Sequence, residues 1–504
     1  MLEREQISPG KRRSMRSRLI LNAGRRRGQL WQLFLLGLLG LASISVNAAS
    51  AAIETTGLSE FSNTAKGPIT LVDAMQLAQQ NYPAIKAARY RKESAKSGVD
   101  KEKTLYLPRG SVLIQETRAT SNNLTGPLLP QLTIPQIAGA VQGGNDLTGG
   151  WGSAAGTLIS WEPFDFGFRK ASVEAAKVQE RLAHARVALT ELEVVSAAAD
   201  IFLRASASKQ VLRAARSKLD RMRIFRESVS VLVDKQLRSK TDYFLAEAEE
   251  AKAKDQVIEA EQSLELALIS LAESMGVSDV QVVIDDKALA ASAPREITIA
   301  GSAESHPLLR SQAATIKLSE ARTRVIDKTY YPKFSLIGAL YGRGSGFRTD
   351  VSIDQSKGYY PTTFNYAIGL NVYFPFLDIF ELRARRNMEL KTTLAERSQF
   401  ELTSLKLRCE DERAKALMKG ALRILENAPV KVRAAREAVN SVKVRYQLGL
   451  ASVNDVAQDE QLLTESEVEE ATARLRVWRA LLAEAAAKGD MTQFRRAAEL
   501  ASRE

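Results

Sequence analysis

One stretch of 68 residues, at positions 168–235, contains neither proline nor glycine and constrains the fold more than any other part of the chain. Its apolar residues step by threes and fours, as in Leu182, Ala185 and Leu189, which places them on one face of an α-helix. An unbroken helix of this length would reach roughly 100 Å. Such a helix needs a partner along its whole length to bury the apolar stripe.

Composition limits the classes of function. Nine basic and two acidic side chains lie in the first 48 residues, which leaves only +5 of the net charge of +12 for the rest of the chain. So small an excess gives no indication of nucleic-acid binding. A single cysteine, Cys409, excludes an intrachain disulfide, and with only His184 and His306 there is no Cys/His metal cluster. We therefore expect no enzyme, no cofactor and no metal site.

Residues 1–48 are typical of a secretory signal peptide. A basic run at 25–27 precedes an apolar run at 30–41, and small residues follow up to Ala49. An uncleaved membrane anchor is the alternative, but the apolar run is short for a membrane span. Met15 would give a leader of more ordinary length. We predict an exported mature chain that begins with a polar lead-in at 49–68.

The rest of the chain contains one series of elements twice. Pro83 and Pro108 are 25 residues apart, as are Pro307 and Pro332, and a tyrosine precedes the second proline of each pair by two positions. Each copy is predicted to form a helix, two strands, a long helix and a shorter helix. The predicted bounds are repeat 1 at 69–280 (helix 69–105, strands 110–120 and 150–161, helices 168–235 and 241–275), a linker at 281–303, repeat 2 at 304–490 (helix 306–331, strands 333–341 and 363–374, helices 378–446 and 453–488) and a C-terminal tail at 491–504.

The predicted helix lengths match within each repeat. In the first repeat the two shorter helices together have about as many residues as the long one, so that, stacked end to end, they would cover its apolar stripe. The second strand of each repeat closes on an aromatic-x-Pro-Phe or aromatic-Phe-Pro-Phe run. We therefore take Pro163 and Pro375 as strand exits, and Gly449 as the hinge of the turn after the second long helix.

The length and number of the predicted strands indicate how the chain could cross a membrane. Strands of nine or more residues are long enough to cross a bilayer when tilted, but four strands cannot close a barrel. An open sheet edge in lipid would leave backbone groups unpaired. Several chains would therefore share one barrel, and three copies of four strands would supply twelve. The strands alone leave a soluble four-stranded sheet as the alternative.

From residue 69 to residue 488 the chain resembles the TolC family of outer-membrane efflux and secretion channels. The matching motifs are the opening helix at 71–78, the Tyr-x-Pro helix ends, the two strand exits and the turn from Tyr446 through Gly449 to Asp455. The resemblance implies an α+β membrane protein, a homotrimer with a twelve-stranded β-barrel in outer-membrane lipid and a coiled-coil helical tunnel across the periplasm. It further implies a passive exit duct for small molecules or proteins, which docks a periplasmic adaptor protein and an inner-membrane pump in a tripartite efflux or type I secretion system.

The resemblance also implies a gate at the periplasmic tip. Tyr446 matches the family's gate tyrosine and Asp242 its gate aspartate. Asp455 matches an aspartate that forms a ring, with one carboxylate from each protomer, at the constriction. Such a ring would repel anions and bind cations. Alternatively, Asp242 has only a structural role as the N-cap of a helix, and Thr241 could fill that role equally well.

Two positions depart from the family's gate. Its gate arginine falls on Ala451, and its second ring aspartate falls on Gln458. We expect closure and cation block to be weaker here, or the missing arginine to be replaced by Arg238 or Lys240. A different class of protein, a periplasmic coiled-coil adaptor or scaffold, remains the alternative to the duct.

Overall fold

The computed structural model describes residues 67–120, 144–277, 282–294, 305–348 and 352–501. The predicted signal peptide at 1–48 lies outside these ranges, as does nearly all of the predicted lead-in. The helices and strands in the described ranges, in chain order, are α1 (Leu71–Asn81), α2 (Pro83–Lys103), β1 (Arg109–Ala119), β2 (Gly150–Phe164), α3 (Phe168–Asp234), α4 (Lys240–Met275), α5 (Lys287–Ala291), α6 (Pro307–Thr329), β3 (Lys333–Ser345), β4 (Thr363–Tyr373), α7 (Ile379–Gln447), α8 (Val453–Lys488) and α9 (Thr492–Ala501).

The first helical segment is interrupted at Tyr82, so the prediction of one helix over 69–105 is wrong. Thr70 and Asp73 form a capping box at the start of α1, because each side chain accepts a hydrogen bond from the other residue's N–H. Pro83 holds Tyr82 in an extended conformation (φ −63°, ψ 124°) and takes the first position of α2. A proline that begins a helix therefore ends the helix before it.

Shorter helices pack along the long ones in both repeats. α2 and α4 pack against α3, and α6 and α8 pack against α7. No helix in the described part of the chain is both long and apolar enough to cross a membrane. α3 also contacts α6 and α8 of the second repeat. The covering arrangement that the helix lengths predict is therefore present, and α3 additionally joins the two repeats.

Residues 492–501 form a helix that packs into the largest apolar core of the described residues, where the sequence predicted a tail. The predicted tail at 491–504 contains α9, whose Phe494 ring lies edge-on to Trp478 with centroids 6.1 Å apart. Phe494, Ala497 and Ala501 are buried in a core that also includes Phe202 of α3. The helical spacing of these residues is visible in the sequence, and the prediction of a tail overlooked it.

His306 caps α6 through its imidazole ring. Nδ1 accepts a hydrogen bond from the Leu308 N–H (3.0 Å), and Nε2 lies 3.1 Å from the Ala486 carbonyl oxygen. Burial of the ring lowers the pKa of His306 below its ordinary value of 6.5. The folded state therefore binds this proton less readily than the unfolded state does. The stability contributed by the neutral ring is complete above the unfolded pKa and is lost as the pH falls below it.

We expect the melting temperature of the purified protein to fall between about pH 7.5 and about pH 5, and to fall less in His306→Asn. Asparagine keeps an acceptor at the capping position but does not titrate in this range. His184→Gln, which changes the exposed histidine, is the matched control and should behave like the wild type. The same pH dependence in all three proteins would contradict a role for His306.

Candidate functional site

The four strands form one antiparallel sheet in the order β1-β2-β3-β4, in which β2 and β3 join the two repeats. Directly opposed residues lie on the same face of such a sheet, so the strand registers separate two faces. The outer face, as we call it, carries exposed apolar side chains: Val112, Ile114, Ile159, Leu336, Leu340, Tyr366, Ile368, Leu370 and Val372. The inner face has more small and polar residues, including Gln115, Ala154, Arg343 and Asn365, and lines a concavity of about 550 Å³.

Aromatic rings border the outer face at both ends. Trp151 lies at one end, with its ring centroid 5.0 Å from that of Tyr359. Trp161 lies at the other end and donates a hydrogen bond to the Tyr106 carbonyl (3.2 Å). Ten residues along the strand correspond to roughly 33 Å, or to about 25 Å across a membrane when the strand is tilted by about 40°. The apolar band between the tryptophans therefore has the height of a bilayer's hydrocarbon layer, with aromatic residues at its borders.

The structure places the two predicted strand exits differently. Pro163 lies inside β2, which continues to Phe164, so the predicted strand end at 161 is wrong. The ladder shifts register between Trp161 and Phe164, because proline has no N–H to donate and is tolerated at such irregularities. Pro375 follows the end of β4 and precedes the short 3₁₀ turn Phe376–Asp378, which leads into α7.

The turn between α3 and α4 and the turn between α7 and α8, together called the tip, share one structure. Two positions beyond the end of each long helix lies a residue with a left-handed backbone, Gln236 (φ 62°) after α3 and Gly449 (φ 81°) after α7. The N–H of the next residue, Leu237 or Leu450, donates to the carbonyl five residues earlier (2.9 and 2.8 Å), which is the Schellman arrangement. The sequence of the first turn gave no sign of this end, because glutamine rarely adopts a left-handed backbone.

A serine caps the helix that follows each turn. The hydroxyls of Ser239 and Ser452 accept from the N–H groups of Asp242 (3.3 Å) and Asp455 (3.2 Å), respectively. The alternative that Asp242 or Thr241 is the capping residue is therefore wrong: Asp242 lies three positions into the motif, as Asp455 does. This Ser-x-x-Asp pattern is present in the sequence at both turns and is a capping signature.

Tyr446 and Asp242, the two gate residues inferred from the resemblance, are in contact. The Tyr446 side chain is 1% exposed, and its hydroxyl donates to the Asp242 carboxylate (3.2 Å). The Arg238 guanidinium lies 4.2 Å from the Tyr446 ring centroid and 3.7 Å from the Asp242 carboxylate, and it donates to the Tyr446 carbonyl. Burial, together with the charge of Asp242, raises the pKa of Tyr446 to about 12, so that its hydroxyl remains a donor at neutral pH.

Arg238 occupies the turn position that corresponds to Ala451. Counted from the left-handed residue, Arg238 is two residues beyond Gln236, and Ala451 is two residues beyond Gly449. Lys240, the other candidate to replace the missing arginine, is exposed. The first repeat therefore supplies an arginine where the second repeat has an alanine.

Asp455 and Gln458 are exposed on the first turns of α8. The Asp455 carboxylate accepts hydrogen bonds from the backbone N–H (2.8 Å) and the hydroxyl (2.9 Å) of Ser452. These hydrogen bonds lower the pKa of Asp455, because they stabilise its charged form. Asp455 is thus the ionised third residue of the capping box at the start of α8, with its side chain at the surface, and its place in a ring of three carboxylates stays a prediction.

The family model for outer membrane efflux proteins matches residues 74–277 and 299–489. The chain belongs to the outer membrane efflux protein family. The two matched segments together cover the helices and strands of both repeats, apart from the first three residues of α1. The prediction of a TolC-like fold and the prediction of an outer-membrane location are confirmed by this membership, and the family is one of efflux proteins and not a class of enzymes.

Solved structures confirm the fold class. The outer membrane channel CmeC of Campylobacter jejuni superposes with a TM-score of 0.67 and 16% identity, covering 83% of this chain and 85% of that one. The Neisseria gonorrhoeae channel MtrE in its open state superposes with a TM-score of 0.64 and 18% identity, covering 83% of this chain and 89% of that one. The outer membrane protein VceC of Vibrio cholerae superposes with a TM-score of 0.63 and 15% identity, covering 83% of this chain and 96% of that one. No curated protein matches the chain by sequence.

Proposed function

We propose that three copies of this chain form a passive exit duct through the outer membrane, as part of a tripartite efflux pump or a type I secretion system. The observation that carries the proposal is the two-faced sheet continuous with the long helices. Its outer face is apolar over the height of a bilayer, whereas its inner face is concave and more polar. A surface divided in this way suits a wall with lipid on one side and water on the other.

The sheet's edges support the proposed homotrimer. β1 and β4 each have one paired neighbour in the sheet, and unpaired strand edges are not tolerated in lipid. Edge-to-edge pairing of β4 with β1 of the next copy would close twelve strands without leaving an edge. The long helices α3 and α7, with the helices that cover them, would then line the tunnel below the barrel.

The tip would meet the partner proteins. Leu237 and Leu450, which are equivalent in the two turns, are 67% and 66% exposed, and Leu448 is 69% exposed. Solvent-exposed leucines clustered at a helical turn are typical of a docking surface. In the proposed assembly this surface receives a periplasmic adaptor, which connects the duct to an inner-membrane pump.

The contacts of Tyr446 would close the duct at this tip. The tyrosine comes from α7 and Asp242 from α4, so their hydrogen bond joins the second repeat to the first. Arg238 lies against both residues and takes the part of the family's arginine that is missing at Ala451. A related channel, MtrE, has been solved in an open state, which supports a tip with two arrangements.

The assembly is tested on the full-length protein. We expect heat-resistant trimers in the outer-membrane fraction of cells and ion conductance after reconstitution of the purified protein into planar bilayers. Monomers confined to the soluble periplasmic fraction would reject the duct. Trimers in the outer membrane that never conduct, with or without adaptor and pump, would reject it equally.

Asp455→Ala should reduce the block of conductance by multivalent cations several-fold, because three carboxylates close together concentrate cations. The substitution also removes a capping box. Asp73→Ala removes the same kind of capping box from α1, and it serves as the control because it does not lie at the tip. Unchanged block in Asp455→Ala, or equal loss of block in Asp73→Ala, would exclude Asp455 from the ring.

A further inference from the structure

A layer of polar side chains crosses the four helices that converge on the tip. It lies along α3 and α8 roughly 10–25 Å from the helix ends, at 1.5 Å per residue. Apolar clusters lie on either side of it. The polar layer, as we call it, consists of Lys218 and Arg221 from α3, Gln256 from α4, Lys443 from α7, and Glu460 and Gln461 from α8.

Glu460 is the centre of this polar layer. Its side chain is fully buried, and its two carboxylate oxygens accept from Arg221 Nε and Lys443 Nζ, each at 2.6 Å. Arg221 also donates to the Thr464 hydroxyl (3.0 Å) and to the Glu467 carboxylate (3.2 Å). A buried carboxylate that loses its cations is left uncompensated, which is strongly unfavourable. Glu460 therefore ties α8 firmly to α3 and to α7.

Lys218 adds the fourth helix to the same layer. Its side chain is 3% exposed, and its ammonium donates to the side-chain carbonyls of Gln256 (2.9 Å) and Gln461. Burial lowers the pKa of this ammonium, because its partners are neutral amides that compensate the charge only in part. If Gln256 or Gln461 moved away, the buried ammonium would lose a hydrogen-bond acceptor, which is unfavourable; Lys218 therefore holds α4 and α8 against α3.

The residues on the tip side of the layer are held in a different way. Here the helices meet through an apolar cluster that includes Phe225, Val229 and Val456. The polar links between the two hairpins in this region are partly exposed: the Tyr446 hydroxyl donates to the Asp242 carboxylate, whose side chain is 23% exposed, and Arg238, 17% exposed, donates to the Tyr446 carbonyl. Water can replace these links as the helix ends separate, whereas it cannot reach Glu460 without dismantling the layer.

We propose that the polar layer is the fulcrum of the gate: it fixes the two helical hairpins against each other and confines opening to the helix ends between the layer and the tip. Arg221, Glu460 and Lys218 are positioning residues, which act through the helices that carry Tyr446 and Asp242. The proposal rests on the proposed duct. Without the layer, the separation of the hairpins would extend further from the tip and the opening would be wider.

The test measures single-channel conductance of full-length trimers in planar bilayers, in a background in which the tip is already released by Tyr446→Phe with Asp242→Asn. Adding Glu460→Gln should raise the conductance at least twofold above that background. The conservative Glu460→Asp, which keeps a buried carboxylate beside Arg221 and Lys443, should leave the conductance closer to the background than Glu460→Gln does. A conductance that stays at the background level in Glu460→Gln would overturn the proposal.

A second variant keeps the test decisive if Glu460→Gln fails to fold. Lys218→Met fills a similar volume and removes a buried charge, so the trimer should assemble while the link to Gln256 and Gln461 is lost. It should also raise the conductance in the released background, and failure to do so in heat-resistant trimers would overturn the proposal even if Glu460→Gln does not assemble.

The matched control is Asp286→Asn. Asp286 is another fully buried carboxylate, held by Lys209 (2.7 Å) and Ser206 (2.9 Å), but it lies in the linker and not in the polar layer. An increase in conductance equal to that of Glu460→Gln would show that any buried charge has this effect, and would overturn the proposal. If the released background itself does not conduct, the duct is rejected. A background that conducts but is unaffected by the layer variants rejects the fulcrum alone.

Discussion

Leu340→Lys is expected to abolish the heat-resistant trimer in the outer-membrane fraction. Leu340 lies on the outer face of the sheet near its middle, opposite Thr157 and Tyr366, and is 61% exposed. A lysine on the lipid side of a membrane barrel at mid-depth costs about 2–4 kcal/mol. With one substitution in each of three protomers the loss is roughly 6–12 kcal/mol, which is comparable to the whole free energy of unfolding of a typical domain.

The control for this prediction is Ala367→Lys. Ala367 lies on the inner face of β4 at nearly the same height, opposite Ala339 and adjacent in sequence to Tyr366, and is also exposed. In a water-filled barrel its ammonium stays hydrated, so trimers should form as in the wild type. Loss of trimers in both variants, or in neither, would contradict the assignment of the outer face to lipid. The measurement is the amount of trimer on unheated gels of outer-membrane fractions.

Much of the fold could be predicted from the sequence because its strongest signals are periodic and long. The absence of proline and glycine over 168–235 predicts α3 to within a residue of its observed end at Asp234. The local signals were less reliable. Pro83 begins a helix, whereas the predicted helix 69–105 runs through it, and Pro163 lies at a register shift within β2, whereas the predicted strand ends before it.

The candidate site could be predicted only in part. The resemblance brought Tyr446 and Asp242 together, and the structure shows their hydrogen bond. The choice between Arg238 and Lys240 stayed open, because the correspondence between the two turns depends on the left-handed backbone of Gln236, which residue types alone do not reveal. Glu460 of the polar layer was equally hidden. A charged residue in a helical pattern is ordinarily assigned to the surface, and only the packing of four helices shows that this carboxylate is buried.

Tyr446→Phe combined with Asp242→Asn is expected to open the duct, with single-channel conductance several-fold above that of the wild type. The hydrogen bond between the hydroxyl and the carboxylate stabilises the closed tip by about 1.5–3 kcal/mol in each protomer, which corresponds to roughly 10–100-fold in the equilibrium of each tip. Phenylalanine keeps the ring against Phe225, so the apolar packing is retained. Tyr90→Phe, on the exposed face of α2, should leave the conductance unchanged.

Arg238 and Lys240 can be separated in the same assay. Arg238→Ala removes the guanidinium that lies over the Tyr446 ring and beside the Asp242 carboxylate, so it should raise the conductance by itself. Lys240→Ala removes a cation of equal charge two residues away that is exposed to solvent, and it should have little effect because exposed charges are screened. Ala451→Arg in the Arg238→Ala background would place the guanidinium in the equivalent turn of the second repeat. Restored closure there would mean that the tip needs one arginine and accepts it from either repeat, whereas an open tip would mean that the contact with Tyr446 can be made only from the first.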